Sequence, residues 1–188
     1  MKLWQSRAVK VPVDVTYLQM LAAPAYAAPA MPESVQVMRA ERPTAAYYRF
    51  LYGTVGKPWQ WYERLKLTDA ELNLVLHTPH VEVQVLHVAG VPAGYVEMVR
   101  ETHRETEIAY FGLMPDFIGR GLGRLFLEWS LTYAWSHQPQ RVWLHTCSLD
   151  HPQALPNYEK AGLVPYRRER VLIVDPRSQY PDLGSGVG

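Results

Sequence analysis

Apolar residues recur along this chain at two periods, and the switches between them divide it into strands and helices. Val11, Val13, Val15 and Tyr17 alternate with other residues, which predicts a strand or extended arm over residues 9–20. Pro24, Pro29 and Pro32 then punctuate an Ala-rich stretch that reads as a semi-rigid connector. Val35 and Val37 open a short strand that ends before Arg42-Pro43. Beyond it the period becomes helical. Thr44 is placed to cap a helix through Tyr48 and Leu51, which Gly53 to Pro58 should break. Trp59, Trp61, Tyr62 and Leu65 suggest a second short helix. Thr68 and Glu71 have capping-box spacing ahead of Leu72, Val75 and Leu76.

The period returns to two at Val81, Val83 and Val85. Gly90-Val91-Pro92 reads as the turn into a strand over 93–100, and residues 106–114 form a third run. Three strands joined by short links imply an antiparallel meander. After Pro115, Leu122, Leu125, Phe126, Trp129 and Tyr133 make a continuous helical stripe. A strand over 142–147, a short helix near 150–161 ending at Gly162, and a strand over 164–174 complete the pattern. A strand–helix–strand unit within a mostly antiparallel sheet makes the fold class mixed α/β, of the α+β kind, with helices flanking the sheet. The boundaries expected are an N-terminal arm and connector over 1–34, one domain over 35–174, and a flexible Gly/Pro/Ser-rich tail over 175–188. The arm could add a strand to the edge of its own sheet or to that of a second copy in a homodimer.

Charge and cysteine content narrow the function. Nineteen Lys and Arg against eighteen Asp and Glu leave no electrostatic footprint for nucleic acid or an anionic membrane. The single cysteine, Cys147, excludes an intrachain disulfide and a cysteine metal cluster, and the seven His lack ligand spacing, so no metal is expected. Lys2, Arg7 and Lys10 followed by Ala25-Tyr26-Ala27 imitate a secretion signal, but Pro12, Asp14, Thr16 and Gln19 interrupt its apolar region, so a cytoplasmic protein is expected.

The chemistry concentrates between Met114 and Arg124. There a strand ends, Gly119, Gly121 and Gly123 follow, and a long amphipathic helix begins. Glycines let backbone amides approach a ligand, and the N–H groups of a helix N-terminus favour an anion. Arg120 and Arg124 add positive charge at the same mouth. The physics points to phosphate or pyrophosphate. A dinucleotide fingerprint fails because Leu125-Phe126 stands where its third glycine is needed, and a P-loop fails because no Gly-Lys-Ser/Thr is present.

The segment resembles the coenzyme A loop of GCN5-related N-acetyltransferases, Arg/Gln-x-x-Gly-x-Gly/Ala, with Gly121 and Gly123 on its glycines and Ile118 where the family usually has Arg or Gln. Asn157-Tyr158-Glu159-Lys160-Ala161-Gly162-Leu163 resembles the family's Tyr-Glu-Lys-x-Gly-Phe segment, with Leu163 in place of Phe. The resemblance covers roughly Val35 to Arg170. It implies acetyl-CoA as co-substrate, held by Leu113, Met114, Ile118, Gly119, Arg120, Gly121, Leu122, Gly123, Arg124 and Asn157.

It further implies Tyr158 as the acid that protonates the departing thiolate, and strand amides near Leu113 or Met114 as partners of the thioester carbonyl or pantetheine. For the base, the strand carrying Glu107 resembles the one bearing a catalytic Glu in the histone-acetylating branch. Glu97 on the neighbouring strand is its rival, and His145 has a pKa suited to relaying a proton. Tyr47, Tyr48, Tyr52, Trp59, Trp61 and Tyr62 crowd the region that covers the acceptor end in this family, and such rings can cage a cationic amine or form core. The expected reaction is acetyl transfer to a primary amine of a small acceptor. The alternative is a coenzyme-binding sensor or structural protein that keeps the pocket without catalysing transfer.

Overall fold

The computed structural model describes residues 9–102 and 104–184. Seven strands form one sheet in the order β2-β3-β4-β5-β6-β1-β7. β1 is Lys10–Met20, β2 Val35–Arg39, β3 Val81–Val88, β4 Val91–Thr102, β5 Glu105–Leu113, β6 Arg141–Cys147 and β7 Val164–Val174. The helices are α1 (Ala45–Gly56), α2 (Asp69–Leu76), α3 (Leu122–Ser136) and α4 (Ala154–Lys160). Every strand pairing is antiparallel except β5 with β6. The mixed, mostly antiparallel sheet and the β3–β4–β5 meander agree with the sequence pattern.

The N-terminal segment is not an arm outside the domain. β1 lies inside the sheet, pairing with β6 from Val15 to Met20 and with β7 from Lys10 to Gln19. Its alternation buries Leu18 and Met20 in the core. Pro12 is tolerated because it falls before the β6 pairing begins at Val15, where β1 has a single neighbour. The tail is not wholly loose either. A 3₁₀ turn covers Pro176–Ser178, Leu183 is buried, and Gly184 N–H donates to Lys57 O at 3.0 Å. Residues 185–188 lie outside the described residues.

Two apolar clusters lie on opposite faces of the sheet. One packs α3 and α4 through Phe126, Leu127, Leu131 and Tyr158 against Leu18, Val96, Met98, Ile108, Val142 and Leu144. The other packs α1 and α2 through Tyr48, Leu51, Tyr52 and Leu72 against Val83, Val85 and Tyr95. Thr44 caps α1, and Thr68 with Glu71 forms the capping box of α2. α1 runs through Gly53 to Gly56 instead of breaking there, because its buried face continues to Val55. The expected second helix is replaced by 3₁₀ turns at Lys57–Trp59 and Arg64–Lys66. In α4, Pro156 is the third helical residue. It costs no hydrogen bond there, since the first N–H groups of a helix have no partner within it.

Candidate active-site cleft between two diverging strands

β5 and β6 pair over three positions only, from Glu105↔Arg141 to Glu107↔Trp143. Beyond them the strands separate. The cause is visible on the other side of β5: Glu97 pairs with Tyr110 and Met98 with Ile108, so Ala109 is the extra residue of a β-bulge. A bulge bends its strand and disrupts the ladder locally. This one sits where β5 leaves β6. The gap opens a cleft of about 570 Å³, lined by Ile108 to Leu113 on one side and Leu144, His145 and Cys147 on the other. Over this stretch β5 has β4 as its one partner, so its second edge faces the cleft with backbone groups a ligand can pair with.

One end of the cleft is the glycine loop. Gly119 has φ +82° and Gly121 φ +77°, left-handed values that favour glycine, and Gly121 is the N-cap of α3 with no side-chain cap. The first N–H groups of α3 are therefore left for a ligand. Ile118, Gly119, Gly121, Gly123 and Arg124 line the cleft, as do Leu113 on β5 and Asn157 on α4. Arg124 also donates to Glu128 Oε1 at 2.7 Å, an exposed pair four residues apart.

The side chains of three expected coenzyme-binding residues are turned away from the cleft. Arg120 lies over the Phe117 ring, 5.1 Å from its centroid. Leu122 turns into the core as the first residue of α3. Met114 is buried against the α1/α2 face and its N–H is taken by Ala93 O at 2.8 Å, so that amide is not available to a thioester carbonyl.

Tyr158 on α4 lines the cleft. Its residue is 8% exposed and its hydroxyl makes no hydrogen bond among the described residues. Burial, and then the charge of Asp150, push the phenol well above its ordinary pKa, so it is held protonated. Cys147 is also on the wall, and burial followed by Asp150 raises its thiol to about 12, which makes it a poor nucleophile near neutral pH.

The candidate bases separate sharply. Glu97 is 0% exposed, accepts from Tyr48 Oη and pairs with Arg64, and contributes nothing to the cleft wall. It ties α1 to the segment that carries Arg64. Glu107 lies on the last paired position of β5 and does not line the cleft. His145 does, with its side chain 43% exposed. Its Nδ1 is 3.9 Å from Glu107 Oε1, and its ring lies 5.7 Å from that of Tyr17. His151 is a further lining residue, but its Nδ1 accepts the Gln153 N–H at 3.0 Å.

Tyr52, Trp59, Trp61, Tyr62 and Tyr110 also line the cleft. Tyr47 and Tyr48 do not reach it, and Tyr48 is core. Asp150 was not signalled by the sequence. It accepts from Trp61 Nε1 at 3.2 Å, from Thr146 Oγ1 at 2.8 Å and from Cys147 N at 2.9 Å. Its partner Trp61 lies 89 residues away, beyond the reach of any local pattern.

The sequence profile of the Acetyltransferase (GNAT) family matches residues 41–163, which contain the bulged strand, the glycine loop and Tyr158. The chain belongs to that family. Solved structures share the fold at low identity. A GCN5-related N-acetyltransferase from Sphaerobacter thermophilus is 18% identical with a TM-score of 0.61, covering 88% of this chain and 51% of that one. One from Kribbella flavida is 19% identical with a TM-score of 0.58, covering 93% and 63%. The spermidine N-acetyltransferase from Vibrio cholerae, in complex with CoA and spermine, is 19% identical with a TM-score of 0.58, covering 77% and 99%. This GNAT chain thus spans only about half to two thirds of the first two structures. No curated protein matches it. Among its described residues no group of three or more His, Cys, Asp or Glu is gathered to hold a metal, and no helix is long and apolar enough to cross a membrane.

Proposed function

We propose that this GNAT protein transfers the acetyl group of acetyl-CoA directly to a primary amine of a small acceptor. The observation that carries the reading is the buried, protonated, unpartnered Tyr158 hydroxyl in a cleft that begins at a glycine loop. Gly119, Gly121 and Gly123 at the start of α3, with Arg124, would hold the phosphates of the coenzyme. Leu113, the free edge of β5 and Asn157 would hold its arm. The coenzyme supplies an activated acetyl thioester.

The chain's residues supply the proton transfers. With Nδ1 turned to Glu107, His145 has Nε2 left to take a proton from the attacking nitrogen. The new C–N bond forms as the C–S bond breaks, the nitrogen's proton goes to His145, and Tyr158 protonates the departing thiolate. Glu107, whose carboxylate lies 3.9 Å from His145 Nδ1, acts as a positioning residue beside that ring.

Thiol release with acetyl-CoA and a panel of primary amines, run beside calorimetric titration of acetyl-CoA, tests this. Tyr158→Phe should lower kcat by about a hundredfold or more while leaving coenzyme affinity within about twofold. Full coenzyme binding with no thiol release from the wild-type chain would instead support a coenzyme-binding sensor.

A further inference from the structure

Trp61 is held in the cleft wall from several sides. The backbone N–H of Trp61 donates to Gly56 O at 3.1 Å, which places the residue just beyond the end of α1. A Cβ on Gly56 would stand 2.4 Å from the indole, far inside contact distance, so only glycine lets the ring lie there. On the other side, Gly112 is bare where the ring arrives: a Cβ there would stand 3.7 Å from Trp61 Cη2 and 2.5 Å from Val55 Cγ1. Neither glycine has a positive φ. Both are explained by the space that their neighbours occupy.

From that seat the indole N–H crosses to Asp150, in the loop after β6. Asp150 is itself fixed by Thr146 and Cys147. The ring therefore spans from the free part of β5 to the far end of β6, where the two strands have diverged. Trp59 makes a second contact to the same loop, its ring edge-on to that of His151 at 4.9 Å. Trp61 packs with the α1/α2 cluster, whereas α3, which the glycine loop begins, packs on the opposite face of the sheet. If the coenzyme lies on the glycine loop, the acceptor meets the thioester from the Trp61 side.

We propose that Trp61, latched by Asp150, is the wall that sets acceptor size, admitting a slender, unbranched primary amine and excluding a bulky one. The inference rests on the acetyl-transfer reading of the same cleft. Asp150 is a positioning residue here, acting through the indole.

The test compares kcat/KM for n-butylamine and 3,3-diphenylpropylamine, two primary amines unhindered at nitrogen, by thiol release with acetyl-CoA. The wild-type chain should prefer n-butylamine, and Trp61→Ala should reduce that preference by about tenfold or more, the scale on which pocket shape discriminates. Coenzyme affinity should stay within about twofold. Trp61→Phe, which keeps a ring but loses the N–H to Asp150, should move the preference part of the way. An unchanged preference in Trp61→Ala with coenzyme binding intact overturns the wall. Should that variant fail to fold, Trp61→Leu keeps the seat beside Gly56 and Gly112 filled and is read the same way. No turnover of any amine by the wild-type chain sinks the acetyl-transfer reading as well, whereas turnover with an unmoved preference sinks the wall alone.

Discussion

The glycine loop and the Trp61 segment both line one cleft and are built by opposite means. Gly119 and Gly121 adopt left-handed backbone with open space around them, since an added Cβ would meet nothing within 4 Å at either. The loop works by what is missing, leaving amides uncovered. Residues 57–64 work by what is present: an indole seated against two glycines, a carboxylate across the cleft, and Arg64 sunk beside Glu97. A phosphate site can be made of backbone because every phosphate looks alike. An acceptor wall needs side chains, because acceptors differ. Substitutions should therefore damage the two ends differently.

The largest effect is expected at Arg64. Its guanidinium pairs with Glu97, which has no exposure, and lies 5.2 Å from the Tyr110 ring. Arg64→Ala leaves a buried carboxylate with Tyr48 as its hydrogen-bond partner among the described residues. Breaking a buried pair from one side costs about 3–5 kcal/mol, which denaturant unfolding would read as a lower midpoint with unchanged slope. A loss below about 1 kcal/mol would mean that Glu97 finds water or another partner, and that the pair does not anchor the segment.

At the other end, Gly121→Val should spare packing, because the new side chain meets open space, yet should weaken the coenzyme. A β-branched residue at φ +77° costs about 2 kcal/mol in backbone strain. If the loop relaxes away from that conformation in the free protein, binding must restore it, and acetyl-CoA affinity should fall by close to thirtyfold, about 2 kcal/mol. Calorimetry on the variant gives the number. Unchanged affinity would show that the loop does not need its left-handed turn to bind.

The contrast also explains what could be read from the sequence. The glycine loop, the capping box at Thr68 and Glu71 and the β3–β4–β5 meander depend on neighbours in the chain, so periodicity and spacing display them. The role of Tyr158 comes only from the resemblance of its local segment to that of the family. The sheet position of β1 was not legible, because alternation over 10–20 says that a strand exists and nothing about its partners, which come from residues 142–174. Glu97 and Glu107 both read as strand carboxylates near a cleft. Only the bulge at Ala109, Tyr48 and Arg64 separate their roles, and all three act across the sheet. Trp61 reads from the sequence only as one of several aromatics near the acceptor end, and the role of Gly56 has no meaning until the indole lying against it is seen.

The smallest effect should come from Ile118, where the family usually offers Arg or Gln. It is 41% exposed, lines the cleft, and donates its N–H to Pro115 O at 3.2 Å, closing the 3₁₀ turn ahead of the glycines. If backbone amides carry the phosphates, restoring a cation there adds only a solvent-exposed attraction. Such pairs contribute about 0.2–1 kcal/mol, so Ile118→Arg should tighten acetyl-CoA binding by no more than about fivefold at low salt. The gain should fade toward physiological ionic strength, where charges more than about 8 Å apart are screened. A gain of about fiftyfold that survives salt would mean a desolvated, specific contact between guanidinium and phosphate. The loop would then be a side-chain site that this sequence has half lost, and its likeness to the wall across the cleft would be greater than its glycines suggest.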